Sequence, residues 1–265
     1  MIDERSKHLR RHVLKMVEAQ RRGHLGPAAS LIELLRVIYD TWLNYRPGEP
    51  LWEDRDRLIL SKGHGCLALY AVLADKGFFP AEELASFCSP NSRLGGHPET
   101  KVPGVEASTG SLGHGLSIGI GMALAARMRR KAYRVLVVLG DGEINEGAVW
   151  EAALAANKHK LSNLIACIDY NKFQSFGPTY DVLDLEPLEA KWKSFGFDVH
   201  QVDGHDIVAM SELFKVIPAR SDTPTAIICH TVKGKGFPMA ESQADWHHKS
   251  RLSDLDMSNL YESIE

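Results

Sequence analysis

The stretch that decides the fold runs from Arg134 to Gly147 and reads RVLVVLGDGEINEG. An apolar run of strand length ends in Gly140 and Gly142, which flank Asp141, and Glu146 adds a second carboxylate. A tight turn uses glycine because its backbone bends there without a Cβ clash. It has no need of acids, so the question is what sits over the turn. Two familiar phosphate loops are excluded at once. The dinucleotide fingerprint needs glycine at position 145, which is Asn145. The P-loop needs Lys and then Ser or Thr after its last glycine, whereas Gly147 is followed by Ala148 and Val149.

Around this stretch, helical and strand patterns alternate along most of the chain. Residues 3–21 and 28–43 have helical spacing, separated by a break at Gly23–Pro27. A strand over 57–61 runs into Gly63-His64-Gly65 and a helix near 66–76, and a short helix near 81–87 precedes an irregular, glycine-rich stretch. A small-residue helix is predicted near 115–130. Beyond the strand 134–141 come a helix over AVWEAALAANKHK, a strand 163–170, and a helix near 184–195. The strand FDVHQV, a helix near 206–217 and the strand TAIICHTV follow. The strand runs barely alternate, which is the pattern of parallel strands covered on both faces. The expectation is a doubly wound α/β fold with a mostly parallel sheet and helices on both sides, forming a single domain over 1–265. No internal repeat or linker interrupts it.

Composition narrows the function. The chain has 265 residues with a net charge of −3, so no basic stripe argues for nucleic acid. Its apolar runs are strand-length and broken by charge, which argues against a membrane span. The N-terminal MIDERSKHLRRHVLKMVEAQ mixes acids with bases and lacks the apolar core of a secretory signal; Leu9, Val13, Met16 and Val17 mark one face of an amphipathic helix. Cys66, Cys88, Cys167 and Cys229 are scattered without a C-x-x-C pair, which points to a cytoplasmic protein and away from metal or redox roles for them.

The next strand after the turn ends in DYNK, roughly thirty residues downstream of Asp141. In a right-handed βαβ unit both strands finish at the same sheet edge, where α/β proteins bind their ligands. Asp141 and Asn171 should therefore face one small volume. A carboxylate, an amide oxygen and a backbone carbonyl suit a hard divalent cation such as Mg²⁺, which completes its shell with phosphate and water oxygens. A helix beginning after Gly142 would aim its free N–H groups at the same place. A diphosphate bridged by the cation satisfies all of this. The simpler reading, Asp141 as a helix N-cap only, accounts for one acid and one glycine but leaves Asn171 unexplained.

GDG followed by Asn at this distance resembles the thiamine diphosphate motif, and the surrounding residues resemble transketolases. The similarity covers nearly the whole chain: GHLGPAAS at 23–30, LSKGHG at 60–65, GGHPE at 95–99, TGSLGHG at 109–115, GDGEINEG, DYNKFQ, and TVKGKG with a later WH at 231–247. The resemblance implies that Asp141, Asn171 and the carbonyl of Phe173 hold Mg²⁺, or Ca²⁺ or Mn²⁺ in its place. It implies that Gly142 contacts the diphosphate, that Gly110, Ser111 and Leu112 meet the aminopyrimidine, and that His64 and Lys233 also contact the cofactor. His24 and His97 match histidines that touch the donor sugar, and His247 one near both the diphosphate and the reacting carbons. Glu146 matches a glutamate that links sites across a dimer. His114 is expected beside the site, and His159 and His205 on the surface.

The implied reaction moves a two-carbon ketol unit from a ketose phosphate to an aldose, with the cofactor as electron sink and histidines as hydrogen-bonding proton carriers. In the resembling family this stretch is followed by a pyrimidine-binding domain and a C-terminal domain. Those are expected on a partner chain, giving an α2β2 heterotetramer of a split enzyme. Pro27, Phe176 and His248 depart from the family pattern and leave the sugar substrates open. Two rival readings remain: an α subunit of a 2-oxo acid dehydrogenase or a deoxyxylulose-phosphate synthase-like enzyme, and a non-catalytic scaffold of the same fold. His24 and His97 speak against the first, and the intact Asp141, Asn171 and His64 against the second.

Overall fold

A computed structural model describes residues 2–175, 177–218, 220–246, 249 and 251–265. Its centre is a five-stranded sheet of β1 (Arg57–Leu60), β2 (Val135–Gly140), β3 (Leu164–Tyr170), β4 (Asp198–Asp203) and β5 (Thr225–His230), in the order β1-β2-β3-β5-β4. Every pairing is parallel. The helices are α1 (Glu4–Gln20), α2 (Leu25–Ala29), α3 (Ile32–Val37), α4 (Cys66–Asp75), α5 (Gly115–Met128), α6 (Gly147–Lys158), α7 (Thr179–Val182), α8 (Leu188–Ser194), α9 (Ile207–Val216) and α10 (Asp254–Glu262). Among the described residues, no helix is long and apolar enough to cross a membrane.

Every residue of β2 and β3 is buried. Successive side chains of a strand point to opposite faces, so an unbroken apolar run must feed two cores. It does. Leu136, Val138, Ile165 and Cys167 pack under α1, α3, α4 and α9, with Val13, Leu35, Leu69 and Phe214. Val135, Val137, Leu164 and Ala166 pack under α5, α6 and α8, with Leu116, Ala153 and Trp192. Gly119 of α5 lies so close to the sheet that a Cβ there would stand 2.5 Å from Val137 Cγ2. The edge strand β4 is only partly buried, as its pattern DVHQVD allows.

One helix expected from the sequence is divided and another is shortened. The segment read as one helix over 28–43 starts earlier, at Leu25, and continues as α2, α3 and a π-turn over Ile38–Trp42. Pro27 fits because it lies in the first turn of α2, where no backbone N–H is required. In the π-turn Leu43 N donates to Ile38 O at 2.9 Å. The segment near 184–195 holds only α8, which begins just after Pro187, a residue suited to helix starts.

Candidate active site

The register of β2 on β3 sets the site. Gly140 stands opposite Asp169, so both strands end at one edge, and Asp141 and Asn171 line the same cavity of about 350 Å³. Lys172, with φ +67°, turns the chain sharply after Asn171 and brings Phe173 and Gln174 into the wall. The Asp141 carboxylate accepts from Gly142 N at 2.7 Å and from Lys172 N at 2.6 Å, which ties the two strand ends together. Asn171 Oδ1 accepts from Phe173 N at 3.0 Å.

Burial pushes the Asp141 carboxyl up to about 7, and the nearby Asp169 carboxylate adds to the rise. A carboxylate in this setting gains from a cation at its open side. Lys233 mirrors it: burial, with help from Lys62, pulls its ammonium down to about 8. Its Nζ donates to the carbonyls of Phe173 at 3.2 Å and Gln174 at 3.3 Å.

Three histidines form the opposite wall. The ring of His24 lies 5.7 Å from that of His64 and 6.4 Å from that of His97, centroid to centroid. They arrive on separate loops, and glycine lets these loops touch. A Cβ on Gly63 would stand 2.9 Å from Gly110 N, and one on Gly110 would stand 3.1 Å from His97 Cδ2. Tyr70 fixes the His97 loop by donating to the His97 carbonyl at 2.9 Å. A second cavity of about 460 Å³ adjoins this wall, sharing His24 and His97 and reaching Arg22, Phe87 and Cys88.

Of the residues expected at the site, His24, His64, His97, Gly110, Leu112, Asp141, Gly142, Asn171, Phe173 and Lys233 line the cavity. Ser111 and Glu146 are exposed and do not line it. His247 lies outside the described residues, as do Phe176 and His248. The helix expected directly after Gly142 is a 3-10 turn over Gly142–Asn145, and α6 starts only at Gly147, after the extended Glu146. The turn is held by Glu143, whose carboxylate folds back to accept from Gly140 N at 3.0 Å. His205, expected on the surface, is instead largely buried and bonded to Glu33. His159 and His114 are exposed.

The floor of the site is built from residues that lie within the quoted motifs but had no role assigned to them from the sequence. Lys62 is buried and paired with the equally buried Asp169, which also accepts from Ser30 Oγ at 2.7 Å and from Thr231 Oγ1. Burial opposes the charge on Asp169, but Lys62, Thr231 and Ser30 together hold its carboxyl below the ordinary value. Glu143 joins three loops, accepting from Ser61 Oγ, Gly113 N and Gly140 N. Burial raises its carboxyl. The available signal was charge at the end of apolar strand runs, where a buried ion demands a partner.

The donor set fits a metal-bridged diphosphate. Asp141, Asn171 and the Phe173 carbonyl are hard oxygen donors, with Lys233 and Lys62 supplying positive charge nearby. The side-chain nitrogen of Gln174 is buried without a hydrogen-bond partner, and a Cβ on Gly142 would come within 3.0 Å of Gln174 Cγ. Among the described residues, no three His, Cys, Asp or Glu side chains group as metal ligands. The expected set contains a single carboxylate.

Comparison with known proteins points to a diphosphate-bearing cofactor. Residues 3–263 match the family described as the transketolase thiamine diphosphate binding domain. The chain is 41% identical over 239 residues to one of the subunits named for the apulose-4-phosphate transketolase of Phocaeicola vulgatus, covering 90% of this chain and 85% of that protein. It is 40% identical over 234 residues to the 6-deoxy-6-sulfo-D-fructose transketolase subunit SqwG of a Clostridium species, covering 88% and 85%. The structure superimposes on a Pichia stipitis transketolase in complex with sedoheptulose 7-phosphate with a TM-score of 0.90 at 30% identity, covering 97% of this chain and 40% of that one.

Proposed function

The chain belongs to the transketolase family, and on that premise we propose that it is the diphosphate-binding subunit of a split transketolase. It would transfer a two-carbon ketol unit from a ketose phosphate to an aldose acceptor in carbohydrate metabolism, together with a separate pyrimidine-binding subunit. Relatives named as transketolase subunits, of which the chain spans 85%, support the division into two polypeptides. An α2β2 assembly and a cytoplasmic location complete the reading, and 1–265 acts as one domain.

The observation that carries the proposal is the shared sheet edge: Asp141 and Asn171 on adjacent strand ends, facing three clustered histidines across one cavity. Asp141, Asn171 and the Phe173 carbonyl would hold Mg²⁺, with Ca²⁺ or Mn²⁺ able to replace it. Gly142, His64 and Lys233 would receive the diphosphate, and Gly110, Ser111 and Leu112 the aminopyrimidine. Thiamine diphosphate, when bound, supplies the electron sink for carbon–carbon bond cleavage. The chain's own side chains do the rest. Lys233 compensates diphosphate charge in a buried setting where that charge counts for more. His24 and His97 bind the donor's hydroxyls and carry protons to and from them, and His247 would stand with them. Glu146, exposed at the end of the turn, suits a contact with a second protomer better than a contact with the cofactor in this cavity.

The test is calorimetry with thiamine diphosphate and Mg²⁺, followed by a ketose-donor assay with the partner chain present. Metal-dependent binding and ketol transfer support the proposal; turnover of 2-oxo acids but not ketose phosphates would refute it.

A further inference from the structure

Lys233 sits on a loop whose two flanks are held by one buried relay. His205 Nε2 accepts from Val232 N at 2.9 Å, so that nitrogen is unprotonated, and Nδ1 donates to Glu33 Oε2 at 3.0 Å. Glu33 in turn receives both ends of the Arg10 guanidinium, at 2.6 and 3.1 Å. Arg10 Nε then donates to Lys235 O at 3.0 Å. The chain of bonds leaves the loop at Val232 and returns to it at Lys235, two residues beyond Lys233.

The relay is built for rigidity. Arg10 and Glu33 side chains are 0% and 4% exposed, and His205 is 13% exposed. The planar fork of arginine meets the carboxylate with two parallel bonds, which fixes direction as well as distance. The backbone approaches closely: Gly236, at φ +88°, leaves no room for a Cβ, which would stand 2.5 Å from Arg10 Nε. From the cavity side, Gly234 N donates to Gly26 O at 3.0 Å. None of the three relay side chains lines the cavity that Lys233 enters.

We propose that Arg10, Glu33 and His205 are positioning residues that hold the Lys233 ammonium against the diphosphate subsite. The inference rests on the cofactor reading above. A long lysine would otherwise lose reach and direction each time the loop rocked; pinning both flanks removes that freedom before the anion arrives. The relay therefore contributes to cofactor affinity through Lys233, in addition to whatever it adds to the fold.

The test is a double-mutant cycle on the full chain, read by calorimetry with Mg²⁺ plus thiamine diphosphate and with Mg²⁺ plus inorganic pyrophosphate. His205→Asn keeps a donor toward Glu33 but does not reach Val232; His205→Gln keeps an acceptor at the Val232 distance. His205→Asn should weaken both ligands roughly fivefold to tenfold, the scale of one lost hydrogen bond, and His205→Gln should recover most of the loss. In a Lys233→Met background His205→Asn should cost nothing further, because its effect passes through Lys233. Circular dichroism and cooperative unfolding confirm that each variant is folded. Unchanged affinity in His205→Asn, or an equal loss in the Lys233→Met background, would overturn the relay while leaving the cofactor reading intact. Failure of the unaltered chain to bind either ligand, or undiminished binding by Asp141→Ala, would instead overturn the cofactor reading itself.

Discussion

Lys62 and Asp169 meet as an ion pair beneath the cavity, with side chains only 1% and 0% exposed. Lys62 follows β1 and Asp169 lies in β3, so the pair spans the intervening strand β2 and ties the sheet edge that carries the site. Lys62 also donates to Pro27 O at 3.2 Å, linking that edge to α2. Breaking a buried pair from one side leaves a lone charge in the interior. Lys62→Met should therefore destabilise the chain by about 3–5 kcal/mol, measured by urea unfolding. A loss within the error of the method would mean that Ser30, Thr231 and Asn171 satisfy Asp169 without the lysine.

The pH dependence of stability follows from Asp141. Its folded carboxyl titrates near 7, far above the ordinary value of 3.8. The folded chain thus holds a proton that the unfolded chain releases, and stability falls as pH rises from about 4 through about 7. Glu143, raised by burial as well, acts in the same direction. A divalent cation bound at Asp141, as proposed, would replace the proton, so Mg²⁺ should raise the melting temperature more at pH 7.5 than at pH 5.5. Thermal melts with and without Mg²⁺ and pyrophosphate across that range check the sign. Equal stabilisation at both pH values would contradict the assignment of Asp141.

Two glycine substitutions should separate binding from folding. At Gly142 an added Cβ would meet the flexible Gln174 side chain at 3.0 Å, which can move aside. Gly142→Ala should fold with little loss yet weaken cofactor binding about tenfold, because the backbone no longer approaches the diphosphate freely. At Gly63 the added Cβ would meet backbone atoms, Gly110 N at 2.9 Å and Thr109 C at 3.0 Å. Gly63→Ala should lower stability and binding together, as seen by melting temperature and calorimetry.

His97 belongs to the wall rather than the floor, 6.4 Å from His24 and in close contact with Gly110. His97→Ala should leave cofactor affinity within about twofold and lower ketose turnover roughly a hundredfold, the lower range for losing a proton carrier. Steady-state kinetics with the partner chain present give the answer. Unchanged kinetics on ketose donors would remove the main support for the histidines' role.

Much of this was legible in the sequence because the sheet is parallel. The unbroken runs VLVVL and LIACI announced strands buried on both faces, and parallel pairing forced Asp141 and Asn171 to a common edge. Three things were not legible. The 3-10 turn after Gly142 depends on Glu143 reaching Gly113 and Gly140, contacts set by tertiary packing. The burial of His205 depends on Glu33, distant in sequence and placed on α3 without any local sign of a partner. The division of the 28–43 segment into α2, α3 and a π-turn leaves the apolar residues of all three buried, so helical spacing alone does not register the breaks.

The central claim is that Asp141, Asn171 and the Phe173 carbonyl jointly grip a cation that bridges a diphosphate. A crystal structure of the chain with thiamine diphosphate and Mn²⁺, read by anomalous scattering, tests it most directly. One strong peak is expected in the cavity, within bonding distance of an oxygen of each of the three residues, with diphosphate oxygens among its other ligands. A peak elsewhere, or a diphosphate bound with Asp141 or Asn171 turned away from the metal, would contradict it.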